Sequence, residues 1–271
     1  MQSTRPMQIE KEAVKEDVAT ERAFFDHYYR DHRDRQDPLD STWVAKATHP
    51  SSWPLDYWEY TFYLVGDLHG KRALEIGCGA GWLTRMLALK GASVSAIDVS
   101  EEGCISTRMK LEKNGLPFET ICVMDAHSLK FLDESFDLVF MAGVLHHVNI
   151  QKVLVEVRRV LRAGGRVVCY EPLRYGRIMR FLKDFWLKAK GLRDHDQTEH
   201  EEALADAELI AFGQTFSAGF IRKFNFLAKT NRLENRFGLL ASTLRWSDYL
   251  LLTAAPPLRR FCTCAVCCFE K

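Results

Sequence analysis

The clearest indication of the fold class is the stretch Arg72-Ala73-Leu74-Glu75-Ile76-Gly77-Cys78-Gly79-Ala80-Gly81-Trp82-Leu83, followed further on by Ser93-Val94-Ser95-Ala96-Ile97-Asp98. An apolar strand leads into three glycines at alternate positions, a helix follows, and a second strand ends at an acidic residue. Glycine allows a sharp turn and the close approach of a ligand to the backbone. A carboxylate at the end of the second strand can accept hydrogen bonds from ribose hydroxyls. The pattern therefore predicts a site for a cofactor that carries a ribose.

The spacing of the glycines distinguishes between cofactors. A dinucleotide fingerprint, G-x-G-x-x-G, would require a third glycine at position 82, which is Trp82. The motif E-x-G-x-G-x-G over residues 75–81, with Asp98, instead resembles that of class I S-adenosylmethionine-dependent methyltransferases. The resemblance implies that Glu75 lies near the methionine part of S-adenosylmethionine and that Asp98 holds the ribose. It also implies that the loop residues Gly77, Cys78, Gly79 and Gly81, and Val99 beside Asp98, form the cofactor pocket.

Later segments continue the resemblance, which is strong over about residues 70–172. Met124-Asp125-Ala126 resembles the family's adenine-binding loop, so Asp125 and Ala126 are assigned to the adenine; an Asx cap is the alternative for Asp125. The segment 136–148 resembles the fourth strand and the turn that passes beside the sulfonium. Met141, Ala142 and His146 are therefore also assigned to the cofactor pocket.

The order of the elements predicts an α/β fold. Helices are expected near residues 8–35, 101–114 and 151–162, and strands near 119–123, 136–141, 166–170, 219–227 and 261–269. Strands that alternate with helices form a parallel sheet covered on both faces. We expect a Rossmann-like, doubly wound sheet of seven strands, mostly parallel, with the last strand reversed. Residues 1–66 are expected to form an N-terminal helical and aromatic cap, and residues 67–271 the methyltransferase domain, with a helical lid inserted after strand five at about 173–215.

Two residues are candidates for the chemistry. Methyl transfer from a sulfonium requires alignment of the acceptor and exclusion of water, and a base is needed only when the acceptor arrives protonated. His146 follows the fourth strand and is the candidate base; a role in shaping the cofactor pocket is the alternative. Glu171 ends the fifth strand and is the candidate for orienting the acceptor. A solvated carboxylate at a strand end is its alternative.

The acceptor is expected to contact the segments added to the core. Residues 174–193 carry seven basic residues and one acid, with apolar residues at helical spacing. Such a basic amphipathic helix fits a lid over the site, a peripheral membrane contact or an ordinary surface helix. Together with the aromatic N-terminal segment it favours a small apolar or lipid-like acceptor. The candidate substrate-binding residues are Tyr28, Trp53, Tyr57, His147, Tyr170, Arg174 and His200.

Composition limits the partners. The formal net charge of +1 argues against a nucleic-acid partner bound through a basic surface. No apolar run has the roughly 20 residues of a membrane-spanning helix, so the sequence predicts a cytoplasmic protein, with peripheral membrane contact through 174–193 as an open alternative. No metal is expected, although Cys264 and Cys267 have zinc-ligand spacing, because the residues around them alternate as in a strand.

Two other functions remain open at this stage. One is methylation of a macromolecule, RNA or protein, against which stand the near-neutral charge and the absence of an N/D-P-P-Y type motif. The other is a methyltransferase-like scaffold that binds a membrane or a partner protein through the basic helix without catalysis. The oligomeric state and the acceptor atom are not indicated by the sequence.

Overall fold

The computed structural model describes residues 18–32, 39–49, 53–174, 203–226 and 238–271, with the backbone alone for 238–241. Its centre is one seven-stranded sheet. The strands are β1 (Arg72–Ile76), β2 (Ser93–Asp98), β3 (Thr120–Val123), β4 (Phe136–Ala142), β5 (Leu161–Pro172), β6 (Ala218–Phe224) and β7 (Cys264–Glu270). The helices are α1 (Val18–Asp31), α2 (Ser41–Thr48), α3 (Tyr57–Val65), α4 (Trp82–Leu89), α5 (Glu101–Lys113), α6 (Ile150–Val160), α7 (Asp206–Gly213) and α8 (Gly238–Ala254).

The sheet has the predicted topology. Its strand order is β3-β2-β1-β4-β5-β7-β6, so the chain starts in the middle, winds to one edge, and returns to build the other half. Strands β1 to β5 pair in parallel, whereas β7 runs antiparallel to both of its neighbours, β5 and β6. The prediction of a mostly parallel, doubly wound sheet with a reversed last strand is confirmed. The carboxyl ends of β1, β2, β4 and β5 meet at one edge, where such sheets bind ligands.

Both faces of the sheet are covered, which explains the near-continuous apolar strands. Val139 and Met141 of β4 point into one core cluster, and Leu138 and Phe140 point into the other. Each of these four side chains is at most 1% exposed. The alternation places successive side chains of β4 on opposite faces and fixes which residues reach the carboxyl edge together.

The cysteines near the C-terminus follow the same alternation. Cys264 packs in the core cluster on one face of the sheet and Cys267 in the cluster on the other. Side chains three residues apart on a strand point in opposite directions, so these two thiols cannot ligate one ion between them. Among the described residues there is no group of three or more His, Cys, Asp or Glu side chains that could hold a metal ion.

Several element ends differ from the sequence prediction. Helix α6 ends at Val160, before the predicted end at Arg162, because β5 already begins at Leu161, which pairs with Phe136. The register then shifts, so that Arg166 pairs with Leu138 and Gly164, at φ 69°, lies in the irregular segment between the two pairs. Strand β6 ends at Phe224, because Asn225 adopts a left-handed backbone with φ 63°.

The N-terminal segment contributes to the core. Helix α1 forms the described part of the helix expected over residues 8–35. Helix α3 lies in the segment that was expected to form the cap. Asp56 is its N-cap residue, and Tyr57, Tyr60 and Val65 pack into the same core cluster as Phe140. The division into a cap and a catalytic domain at residue 66 stays a prediction. Within the described parts of the chain, no helix is both long and apolar enough to cross a membrane.

Candidate active site

The glycine loop after β1 is tightly packed against the protein. Gly77, Gly79 and Gly81 have φ angles of 78°, 49° and 79°, in the left-handed region that favours glycine. A Cβ atom on Gly77 would lie 2.4 Å from Val144 Cγ2, and one on Gly81 would lie 2.7 Å from the Cα atom of Thr107. Alternate glycines are therefore required by both backbone conformation and space.

The backbone N–H groups of this loop are bonded within the protein. Those of Gly77 and Cys78 donate to the Ile97 carbonyl at 2.8 and 3.0 Å, and that of Gly81 donates to the Cys78 carbonyl at 2.8 Å. A phosphate-binding loop presents such N–H donors to its ligand, whereas in this loop the donors are already bonded to protein carbonyls. Because the glycines carry no side chain, a ligand can approach the backbone of the loop closely. This arrangement suits a cofactor without a pyrophosphate.

Asp98 at the end of β2 connects this loop to the next one. Its Oδ2 accepts a hydrogen bond from Gly79 N at 2.8 Å, and its Oδ1 accepts one from Ser100 N at 2.9 Å. The side chain is only 7% exposed and lines a cavity at this edge of the sheet. Burial raises the pKa of this carboxyl, although the backbone hydrogen bonds lower it in part. Each carboxylate oxygen carries two lone pairs, so each can accept a further hydrogen bond from a ribose hydroxyl.

Glu75, at the carboxyl end of β1, is 1% exposed. Burial raises its pKa from 4.5 to about 8. The Thr84 hydroxyl lowers the pKa in part, but it does not reach hydrogen-bond geometry, and Glu75 Oε2 has no partner among the described residues. An acidic side chain without a counter-charge beside the glycine loop suits a ligand that carries a positive charge, as S-adenosylmethionine does.

His146 and Glu171 form a buried pair between β4 and β5. Glu171 is 0% exposed; its Oε1 accepts hydrogen bonds from Val144 N and Leu145 N, each at 2.9 Å. Its Oε2 lies 2.9 Å from His146 Nδ1. The carboxylate is an acceptor, so this hydrogen bond assigns the proton to Nδ1 and makes Nε2 the nitrogen that can exchange a proton. His146 lines the cavity and Glu171 stands behind it.

A second histidine fixes the loop after β3. Asp125 Oδ1 accepts hydrogen bonds from His127 N at 2.9 Å and from His127 Nδ1 at 2.6 Å. The other ring nitrogen, Nε2, lies 3.0 Å from Asn149 N, which donates to it. The bonds on the two sides assign a neutral ring with its proton on Nδ1. This ring holds the Asp125 loop against the turn after β4.

Helix α1 covers the open side of the site. Asp26 Oδ1 accepts hydrogen bonds from Ser100 Oγ at 2.6 Å and from Glu102 N at 3.2 Å, and Arg22 Nε donates to the Val99 carbonyl at 3.0 Å. A Cβ atom built on Gly79 would lie 2.5 Å from the Tyr29 hydroxyl, so this ring lies directly over the glycine loop. Burial raises the pKa of Tyr29. The helix thus closes the cavity with polar bonds to the loop after β2.

These elements enclose a cavity of about 380 Å³, within the usual size of small-molecule and cofactor sites. The predicted cofactor residues that line it are Gly77, Asp98, Val99, Asp125, Ala126, Ala142 and His146. The other predicted cofactor residues, Glu75, Cys78, Gly79, Gly81 and Met141, are not among the lining residues; Met141 is fully buried in the sheet. The cavity is also lined by residues that were not predicted from the sequence: Glu21, Phe25 and Tyr29 of α1, and His127. The only local signals for them in the sequence are the aromatic residues of α1 and the position of His127 two residues after Asp125.

The candidate substrate-binding residues do not all lie at this cavity. His147 and Tyr170 line the cavity; His147 lies edge-on to Phe25, and its Nδ1 is 3.3 Å from Glu21 Oε2. Tyr57 and Trp53 do not line the cavity: Tyr57 stacks on the ring of Tyr170, and Trp53 contacts the ring of Tyr60. The remaining candidates lie elsewhere: Tyr28 is 45% exposed and stacks on His32, and Arg174 donates to the Ala203 carbonyl. His200 and residues 175–193 of the basic segment lie outside the described residues.

Comparisons with known proteins agree with this geometry. Residues 74–169, a little over a third of the chain, match the family described as methyltransferase domain. A demethylmenaquinone methyltransferase of Tropheryma whipplei is 34% identical over 125 residues, which cover 45% of this chain and 49% of that protein. Phthiotriol/phenolphthiotriol dimycocerosates methyltransferase 1 of Mycobacterium ulcerans is 32% identical over 164 residues, covering 54% and 58%. The chain spans about half the length of these relatives.

Solved structures share the fold. An S-adenosylmethionine-dependent methyltransferase from Methanosarcina mazei superposes with a TM-score of 0.52 and 19% identity, covering 80% of this chain and 99% of that one. The [4+2]-cyclase SpnF superposes with a TM-score of 0.51 and 16% identity, covering 78% and 80%. The family match assigns residues 74–169 to a methyltransferase domain, and these structures show that the fold is shared with S-adenosylmethionine-dependent methyltransferases. The cyclase shows that the fold alone does not fix the reaction.

Proposed function

We propose that the protein transfers the methyl group of S-adenosylmethionine to a small apolar or lipid-like acceptor. The observation that supports this most directly is that one cavity contains both the Asp98 carboxylate and the His146 ring. The first belongs to the half of the sheet that holds the ribose in this class, and the second to the turn beside the reacting centre. A methyl donor and a proton acceptor would therefore face the same enclosed space.

The residues fit the cofactor. Asp98 would hold the ribose through the lone pairs that its two backbone hydrogen bonds leave available. Asp125 and Ala126 would contact the adenine, and the loop that starts at Gly77, with Glu75 behind it, would contact the methionine part. S-adenosylmethionine supplies an electrophilic methyl group on a sulfonium. The protein then has to exclude water and align the acceptor with the S–CH₃ bond.

The walls of the cavity support an apolar acceptor. Besides the polar groups already named, Val144, Val148, Pro172 and the ring of Tyr170 line it. The relatives named above act on demethylmenaquinone and on phthiotriol or phenolphthiotriol dimycocerosates. These small-molecule or lipid-like acceptors support the class of acceptor proposed here. The individual substrate requires experiment, because the shared region covers about half of each relative.

His146 and Glu171 have complementary roles in this proposal. When the acceptor is a phenol or a carbon acid, His146 takes its proton at Nε2 as the methyl group is transferred. Glu171, held by Val144 N and Leu145 N, keeps the Nδ1 proton in place and stabilises the imidazolium that forms. Glu171 is buried and bonded within the protein, so we propose it as a positioning residue for the base, in place of the role in orienting the acceptor that the sequence suggested.

Calorimetry with S-adenosylmethionine tests the cofactor site. We expect saturable binding by the full chain and at least about tenfold weaker binding by Asp98→Asn, which keeps the shape of the side chain but removes its charge. Asp67→Asn is the matched control, because Asp67 is an exposed acid in the loop before β1. Absence of saturable binding, or equal affinity of wild type and Asp98→Asn, would overturn the assignment.

Turnover is tested with S-adenosylmethionine that carries a deuterated methyl group, incubated with organic extracts of cells and followed by mass spectrometry. We expect the label in an extractable small molecule and a fall in kcat of about 10²-fold or more for His146→Ala. His69→Ala, at an exposed histidine, is the control. Label in RNA or protein would favour a macromolecular acceptor. Binding without consumption of the cofactor would indicate a scaffold or a cyclase-like use of the fold.

A further inference from the structure

A second cavity lies at the same edge of the sheet, outside the proposed methyl-transfer site. Its volume is about 230 Å³, and it is enclosed by the segment before α3, the end of β6 and helix α8. Arg222 of β6, Tyr57 of α3 and Tyr249 of α8 are among its lining residues. None of the roles assigned to the first cavity involves Arg222 or α8.

Arg222 is surrounded by aromatic faces. Its guanidinium carbon lies 4.6 Å from the ring centre of Tyr60, 4.9 Å from that of Trp53, 5.1 Å from that of Phe224 and 5.8 Å from that of Tyr249. Within the described ranges, the Arg222 side chain forms neither an ion pair nor a hydrogen bond, and its guanidinium lies against these rings. The rings hold the cation in place and leave its N–H donors for another acceptor.

The other charges of this cavity leave a positive excess. Its two acids are already engaged: Asp56 pairs with Lys46 Nζ at 2.5 Å, and Asp248 accepts a hydrogen bond from Phe226 N at 3.1 Å. Four basic side chains also line the cavity, and two of them bond to groups other than these two acids. Lys223 pairs with Asp206, and Arg259 donates to the Leu252 carbonyl. The basic residues that line the cavity are Arg222, Lys223, Arg245 and Arg259.

We propose that the second cavity binds a carboxylate or phosphate group, with Arg222 as its main ligand. A guanidinium fork matches the oxygens of either group in a bidentate arrangement, and its weak hydration makes it the suitable cation for a half-enclosed site. The rings of Tyr57, Phe224 and Tyr249, which line the cavity, supply flat apolar contacts for the part of the ligand next to the anionic group. An aromatic or lipid-like anion fits these walls better than a free inorganic ion.

The two cavities are adjacent. Tyr57 lines the second cavity and stacks on Tyr170, which lines the first, with the ring centres 5.2 Å apart. The anionic group therefore belongs either to the methyl acceptor itself, extending past this ring pair, or to a separate ligand bound beside it. The first alternative rests on the proposed methyl transfer, whereas anion binding as such does not.

Calorimetric titration of the full chain with benzoate and with inorganic phosphate tests the site. We expect saturable binding, tighter for benzoate, and at least about tenfold weaker binding by Arg222→Met, which keeps an apolar side chain between the rings. Arg222→Lys keeps the charge but loses the fork and is expected to lie between the two. Arg158→Met is the matched control, because Arg158 stacks on the ring of Phe216 outside the cavity. Failure of wild type to bind either anion, or unchanged binding by Arg222→Met, would overturn the proposal.

Two further measurements separate the sources of the anion. If it belongs to the acceptor, Arg222→Met raises the KM for the labelled extract component and leaves S-adenosylmethionine binding unchanged. If it belongs to a separate ligand, anion binding is lost while this KM stays the same. Anion binding by a chain that fails to bind S-adenosylmethionine would refute the proposed function and leave the second site standing.

Discussion

Glu75 offers a sharp physical test of the site, because its carboxyl is almost fully buried without a counter-charge. Burial raises its pKa from 4.5 to about 8. The native state therefore keeps a proton over a pH range in which the unfolded state has released it. In this situation stability falls as the pH rises, because the unfolded state binds fewer protons than the native state.

The size of the effect follows from this range. The contribution is fully present below the pKa of the unfolded state, decreases from about pH 4.5 to pH 8, and is constant above. Each pH unit in this range costs about 1.4 kcal/mol, so about 3 kcal/mol is lost by pH 7. Glu75→Gln has nearly the same shape and no proton to release. We therefore expect the variant to gain about 3 kcal/mol relative to wild type between pH 4.5 and pH 7.

Urea denaturation of both proteins at several pH values measures this difference. Glu112→Gln is the control, because Glu112 is exposed on α5 and its replacement is expected to leave the pH dependence of wild type unchanged. A constant difference between Glu75→Gln and wild type across the pH range would refute the reasoning. It would mean that Glu75 is ionised in the native state and that its charge is compensated there.

The remaining predictions concern the loops around the cavity. Gly77→Ala is expected to lose about 1–2 kcal/mol of stability from its left-handed backbone and more from the overlap with Val144 Cγ2, whereas Gly164→Ala, at φ 69° with open space, is expected to show the backbone cost alone. Urea denaturation compares the two, and equal losses would contradict the steric argument. Asp26→Asn weakens the bonds from α1 to Ser100, and stopped-flow measurements should show S-adenosylmethionine dissociating several times faster, corresponding to about 1 kcal/mol. An unchanged dissociation rate would mean that α1 does not limit access.

The two halves of the site differ in how far the sequence predicts them. The loop from Glu75 to Gly81 and the acid Asp98 could be placed from the sequence, because a strand, a glycine turn and a following strand are contiguous and their geometry is local. The bonding of Gly79 N to Asp98 could not be predicted, since it depends on the register of β1 and β2. Similarly, Glu171 ends a strand that could be recognised, but its partner His146 lies on another element.

The N-terminal segment shows most clearly what the sequence could not predict. Its aromatic residues were expected to form one cap, yet Tyr29 covers the glycine loop, while Tyr57 lines a different cavity and Trp53 contacts Tyr249 in the wall of that cavity. Nothing in the spacing of aromatic residues along the chain distinguishes these two destinations. Arg222 carried no signal at all in the sequence, because the four rings that enclose it come from three separate parts of the chain.

The sequence by itself determined the strand–glycine–helix unit, the alternation that builds the sheet, and the class of cofactor. These are properties of contiguous residues, governed by backbone conformation and by the period of apolar side chains. Tertiary structure alone decided that α1 closes the first cavity, that Glu171 forms a hydrogen bond with His146, and that aromatic rings surround Arg222 at the second cavity. Those arrangements depend on the packing of segments that are distant in the sequence. Such packing also buries Glu75 and raises its pKa, and it brings together hydrogen-bond partners that no local sequence pattern indicates.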